Sequence, residues 1–212
     1  MGILSGFRSS SVDAVPMKPI LTAAVLLLAA CASASAMDIA RNGNSVVLIG
    51  RIKNGDQFAF RDFIGLPENA AVRFVYLNSG GGFVYAATEI ARAIRAHKLA
   101  TVVDAATSTC SSACTAIFGG GVQRHYINAA KLQDGVFGFA GTGLGFHEGS
   151  SADSRDANRY NGAATAQMVG SYYEMGIANA RDLASKAPPN KLYRLSGSTA
   201  LALGIATSLA RP

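Results

Sequence analysis

The segment Ser108-Thr-Cys-Ser-Ser-Ala-Cys-Thr-Ala116 gathers hydroxyls and thiols just ahead of the apolar pair Ile117-Phe118. Small polar residues before an apolar run mark a helix start. A hydroxyl nucleophile placed there gains from the helix dipole and from an adjacent general base. The unpaired backbone N–H groups of the first turn can hold a developing oxyanion. Ordinary N-capping is the competing use of the same residues. A serine nucleophile needs a base that titrates near neutrality, and the chain has three histidines. His97 ends a helical stretch beside Lys98, a surface pattern, and His125 follows Arg124 and reads as loop. His147 closes the apolar segment Leu144-Gly-Phe, which can carry it into a cleft or into the core. A third stretch, Asn78-Ser-Gly-Gly-Gly82, lies between a strand pattern and a helix pattern. Glycines there let another backbone approach and let N–H groups face an anion. The spacing fits neither of the common nucleotide-binding glycine patterns.

The elements that must position these residues alternate between strand and helix. Ser45 to Ile52 and Ala71 to Leu77 are rich in β-branched and aromatic residues and predict strands. Asn54-Gly55 is a hairpin signal, and Gln57 to Phe63 reads as its partner strand or as the lead into a helix. From Val84 to His97 the apolar positions Val84, Ala87, Ile90, Ala91 and Ile94 follow helical spacing. Leu99 to Val103 predicts a third strand and Ser112 to Phe118 a buried helix; Gly135 to Gly145 reads as loop or hairpin. Asn161 to Gly176, Ala178 to Lys186 and Ser196 to Leu203 predict helices, the second stopped by Pro188-Pro189 and the third by Gly204. Strand, crossover helix and strand in sequence predict an α/β fold with parallel pairing.

Half of the residues are apolar and 15% are charged, enough for a real core and unlike a disordered chain. The net charge of +6 is scattered, without a basic cluster interleaved with aromatics, so no nucleic-acid partner is expected. Lys18, the apolar run Ile20 to Ala30 and the small residues up to Ala36 form a secretory leader pattern. Met17-Lys18 resembles a start, with residues 1–16 as an extension. Cleavage after Ala36 would release a soluble periplasmic protein beginning at Met37. Alternatively, Leu28-Ala-Ala-Cys31 resembles a lipobox, and a lipid anchor at Cys31 would hold the protein on a membrane. Residues 37–212 then form one domain. The C-x3-C spacing of Cys110 and Cys114 is poor for zinc, and no metal or cofactor is expected. An oxidising compartment allows the two to bridge, a demanding geometry if both lie in one helix.

Taken in order, the three stretches resemble the ClpP-type serine peptidases of the ClpP/crotonase superfamily, and among them exported bacterial relatives carrying a C-x-S-A-C-T segment. Asn78-Ser79-Gly80-Gly81-Gly82-Phe83-Val84 is similar to the family's N-S-P-G-G-x-V, with Gly80 in place of proline. Ser112 stands nine residues before Gly121, as the family's nucleophile does before its glycine, and Gly145-Phe146-His147 resembles its apolar-apolar-His motif. The resemblance covers about Val46 to Ala206. It implies an α/β fold of repeated ββα units. It implies Ser112 as nucleophile, with Ser111 as rival, His147 as general base, and Gly81 and Ala113 as oxyanion donors. The substrate would be a peptide or protein, and a homo-oligomer is in keeping with the family. Two departures stand out: Gln133 to Gly143 looks inserted, and the neighbourhood of the family's catalytic Asp reads Asn190-Lys191-Leu192. Asn190 is the third-position candidate. Besides a peptidase or related acyl hydrolase, the resemblance leaves an inactive relative that binds peptides or a partner, and an acyl-CoA enzyme of crotonase type.

Overall fold

The computed structural model describes Gly2, residues 37–151 and residues 158–212; the leader, with Cys31 and both cleavage points, lies outside them. Strands β1 (Asp38–Asn42) and β2 (Ser45–Ile49) form an antiparallel hairpin closed by Gly43-Asn44, with Gly43 at φ 60°. The hairpin therefore lies at the first Asn-Gly pair, Asn42 ending β1 and Gly43 entering the turn, and not at Asn54-Gly55. At the second Asn-Gly pair, Gly55 (φ 108°) opens helix α1 (Asp56–Gly65), and the Asp56 carboxylate accepts the Lys53 N–H at 2.6 Å. Residues 57–63 are thus helical: an acidic residue at the first turn and a bonded loop favour the helix over a returning strand.

Strands β3 (Phe74–Asn78), β4 (Ala100–Asp104) and β6 (Arg124–Ile127) continue the first sheet, in the order β1-β2-β3-β4-β6, with every pair after the hairpin parallel. Helix α1 makes the crossover from β2 to β3, and α2 (Val84–Ala96) the one from β3 to β4. The predicted α/β class with parallel pairing is the observed one. His125 lies in β6, not in a loop, and its Nδ1 meets the Ala210 carbonyl at 2.9 Å.

A second sheet stands at the end of the first. It contains β5 (Thr109–Ser111), β7 (Gly135–Phe137), β8 (Gly143–Phe146) and β9 (Leu192–Arg194), ordered β5-β8-β9-β7. The glycine-rich stretch is therefore no simple hairpin: β9, from 47 or more residues later, separates β7 from β8. The two sheets are joined at Ser79, whose N–H donates to the Thr109 carbonyl at 2.8 Å and whose carbonyl accepts from Ser111 N–H at 3.0 Å.

Helix α3 (Ala113–Gly120) is apolar on every side and wholly buried, as expected for a core helix. It packs on α2 through small residues: a Cβ on Gly120 would stand 2.6 Å from the Ala91 carbonyl oxygen. Ile90, Ile94, Ile117 and Phe118 have no exposed surface, and burial of each contributes about 1.5–3 kcal/mol. Helices α4 (Gly162–Glu174), α5 (Arg181–Ala184) and α6 (Gly197–Ala202) complete the layer; α4 is capped by Asn161 and α6 by Ser196. The helix predicted over Ala178 to Lys186 is a 3-10 turn followed by the four residues of α5.

Candidate active site

Ser112 sits between β5 and α3 with φ 56° and ψ −130°. A non-glycine residue in that conformation is strained and held there by its surroundings. The surroundings are identifiable. Ser112 N–H donates to the Gly145 carbonyl at 2.9 Å on one side. On the other side a Cβ on Gly81 would stand 2.6 Å from Ser112 Cβ and 2.7 Å from the Ser111 carbonyl oxygen. Gly81 itself has φ 99°, so glycine is required there both by conformation and by space. The Cys110–Cys114 disulfide (S–S 2.04 Å) spans this turn, one cysteine in β5 and the other in α3. The break at Ser112 between the two elements brings their Cα atoms to 5.1 Å, inside the range for a bridge.

The register of the second sheet lays the strand that ends just before Ser112 alongside the strand that ends just before His147. Strands β5 and β8 run parallel, with Ser111 opposite Gly145. Carried one residue further, that register sets Ser112 level with Phe146, the residue before His147. Gly145 is needed at that register, since a Cβ there would stand 2.7 Å from Ser111 Oγ. His147 is 3% exposed, and its ring meets Phe139 edge to face at 5.8 Å. Its pKa is lowered from the ordinary value, first by burial, with the Glu148 backbone pulling the other way. It is a neutral imidazole near pH 7, the form a base requires. Among the described residues its buried Nδ1 has no hydrogen-bond partner. Among the described residues no hydrogen bond joins Ser112 Oγ to His147.

The two expected oxyanion donors lie together. Ala113 N is 3.2 Å from the place a Gly81 Cβ would take, and Ala113 opens α3, so its N–H has no partner within the helix. The Gly81 N–H is held by Ser79 Oγ at 3.1 Å; an oxyanion would compete with that hydroxyl. Ser111 is in a different position from Ser112: it is buried, and its Oγ bonds Thr109 Oγ1 at 3.0 Å and Arg194 at 3.3 Å. Ser112 is half-buried, and among the described residues no hydrogen bond engages its Oγ.

This arrangement of strands, turn and helix recurs in solved proteases. A serine-to-alanine variant of 1510-N, a membrane-bound stomatin-specific protease, superposes with a TM-score of 0.54 at 16% identity, over 79% of this chain and 78% of that one. A second variant of that protease, in complex with a substrate peptide, gives 0.54 at 17% identity, over 79% and 74%. A variant of ClpP1 from Listeria monocytogenes gives 0.50 at 15% identity, over 80% and 92%. The chain has the ClpP-like protease fold. No protein-family model matches the sequence, and no curated protein does.

Asn190, the third-position candidate, is exposed in the turn before β9 and makes no hydrogen bond, to His147 or otherwise, among the described residues. The most heavily bonded side chain near the site is one the sequence analysis passed over. Arg194 is 5% exposed. Its Nη1 donates to Thr109 Oγ1, Ser111 Oγ and the Thr142 and Gly143 carbonyls at 3.1–3.3 Å. Its Nη2 donates to the carbonyls of Phe139, Ala140 and Gly141 at 3.0–3.4 Å. Burial lowers its pKa. One guanidinium thus ties β5, the strand that delivers Ser112, to the loop whose Phe139 rests on His147. The available signal was an arginine within Leu-Tyr-Arg-Leu, but in a three-residue strand that pattern also reads as an outward-facing charge.

Proposed function

We propose that this chain is a serine peptidase or closely related acyl hydrolase, with Ser112 as nucleophile and His147 as base. The observation that carries the reading is Ser112 itself. It is held in a strained conformation at the start of a buried helix, against Gly81, one parallel strand away from His147. A strained turn presenting a serine at a helix N-terminus is how nucleophiles are offered to a carbonyl.

In this reading Ser112 Oγ attacks the substrate carbonyl while His147 Nε2 takes its proton. The oxyanion is received by the Ala113 and Gly81 N–H groups, each worth about 3 kcal/mol in the transition state. His147 returns the proton to the leaving amine or alcohol, and a water, activated the same way, hydrolyses the acyl-enzyme. With no carboxylate at Nδ1, the imidazolium is stabilised less than in a full triad, so turnover is slow. The test is hydrolysis of a panel of peptides and esters. Ser112→Ala and His147→Ala each remove activity, and the double variant is little worse than either, because the pair acts as a unit. Activity unchanged in either single variant overturns the reading.

The unpartnered Nδ1 favours a second reading, an inactive relative that binds peptides through the same cleft. Retained peptide binding with no turnover on any substrate selects it. For location we propose export to the periplasm, with cleavage after Ala36 or lipidation at Cys31, on the leader pattern alone. Intact-mass measurement of the mature N-terminus distinguishes the two, and an uncleaved leader contradicts both.

A further inference from the structure

A cavity of about 460 Å³ opens beside Gly82. Gly82, in its lining, is next in the chain to Gly81, which packs against Ser112. One edge of the segment from Gly80 to Gly82 is held by Ile52. Ile52 N–H donates to the Gly81 carbonyl at 3.0 Å, and Phe83 N–H donates to the Ile52 carbonyl at 3.0 Å. A Cβ on Gly82 would stand 2.1 Å from the Ile52 carbonyl oxygen, so this wall admits no side chain at 82.

Among the described residues the charge around the cavity is one-sided. Arg51 and Lys53 line it, together with the amides of Asn161 and Gln167, and no carboxylate does among the described residues. Neither Arg51 nor Lys53 makes a side-chain hydrogen bond or ion pair among the described residues. The carboxylate nearest in sequence, Asp56, is buried and turned to the Lys53 backbone N–H. Two unpaired cations beside neutral donors form a site for an anion. An extended chain advances about 3.3 Å per residue. A substrate with its carbonyl over Ser112 therefore brings a side chain within one or two residues of the bond to this cavity.

We infer that the cavity receives a carboxylate side chain, so that the preferred substrate carries Asp or Glu within two residues of the bond cut. This rests on the reading of Ser112 as the reacting group. The experiment measures binding of extended peptides to Ser112→Ala protein by fluorescence anisotropy. The peptides are identical except for one residue, Glu, Gln, Lys or Leu, walked through the positions around the centre. At one position the Glu peptide binds about five-fold tighter than Gln, the upper range of an exposed ion pair, and Lys binds weakest. The advantage shrinks between about 0.05 M and about 0.5 M salt. It reverses toward Lys in the Arg51→Glu, Lys53→Glu double variant. Equal affinities for Glu and Gln at every position, tighter binding of Leu at the apolar Phe83 wall, or no binding of any peptide overturns the inference. Labelling of the unmutated protein with a small, side-chain-free fluorophosphonate runs in parallel. Labelling without a Glu preference sinks the cavity assignment alone. A Glu preference without labelling sinks the catalytic reading and leaves the cavity assignment standing.

Discussion

Ser111 and Ser112 are adjacent, chemically identical and used differently. Ser111, the last residue of β5, turns inward to Arg194 and Thr109, while Ser112, past the strand end, is half-buried and makes no side-chain hydrogen bond among the described residues. Ser111→Ala should therefore keep most of the reaction with an acylating probe, and Ser112→Ala should abolish it; the reverse pattern would exchange their roles. The histidine makes a pH prediction. Burial lowers its pKa below the ordinary 6.5. The base form thus persists below that value, and the acid limb of the pH–rate profile should have its midpoint under pH 6.5. The same shift bears on stability. Between the folded and unfolded values the unfolded chain holds the extra proton. The contribution of His147 is therefore present above about pH 6.5 and is lost as pH falls through the folded value. His147→Phe, measured by melting against pH, should flatten that part of the curve. Both residues stood out in the sequence as candidates, Ser112 by its interval to Gly121 and His147 by the apolar run before it. Asn190 was reached only by aligning a neighbourhood, and a turn residue next to Pro188-Pro189 has no packing that would aim it at the ring.

At the scale of elements, the turn that carries Ser112 is closed by a disulfide and braced by an arginine. Closing so short a loop contributes about 2 kcal/mol through chain entropy. Cys110→Ala with Cys114→Ala should lower the melting temperature and slow probe labelling, with the far-ultraviolet spectrum unchanged. Full thiol labelling of the unreduced, denatured protein would show that no bridge forms. Arg194 serves both strands of the pair. Arg194→Met removes the seven contacts that its four terminal N–H groups share and strips the buried Gly143 carbonyl of that donor, at about 1–3 kcal/mol for each acceptor that water cannot reach. It should expose the 138–142 loop to proteolysis and cut labelling at Ser112 more than it cuts overall stability. Equal losses would reduce Arg194 to a structural role. Long periodic elements such as α2 were readable because their stripe repeats over three turns. β5 and β9, three residues each, hold too few positions for a period to show. Asn-Gly occurs three times, at the turn between β1 and β2 and at the starts of α1 and α4, and only the distant partner strand decides whether a hairpin or a helix follows.

At the scale of the whole molecule, two sheets meet at Ser79, and α3 is seated against α2 with no space at Gly120. Gly120→Val should overpack that contact and cost about 1–3 kcal/mol or more, read as a lower melting temperature together with slower labelling, because α3 carries the Ala113 N–H. Unchanged stability would mean that α2 and α3 do not meet as closely as described. The α/β class was legible from strand–helix alternation. The second sheet was not, because β8 and β9 are joined by 45 residues of intervening chain whose pairing leaves no local pattern. The account as a whole depends on one reactive oxygen. Treatment of the full chain with a fluorophosphonate, followed by peptide mapping of the adduct by mass spectrometry, reads it directly. The predicted result is a single adduct on Ser112, absent in Ser112→Ala and at least about 100-fold slower in His147→Ala, within the range general-base catalysis supplies. An adduct on Ser111 or on another hydroxyl, or labelling of Ser112 at the same rate without His147, would contradict it.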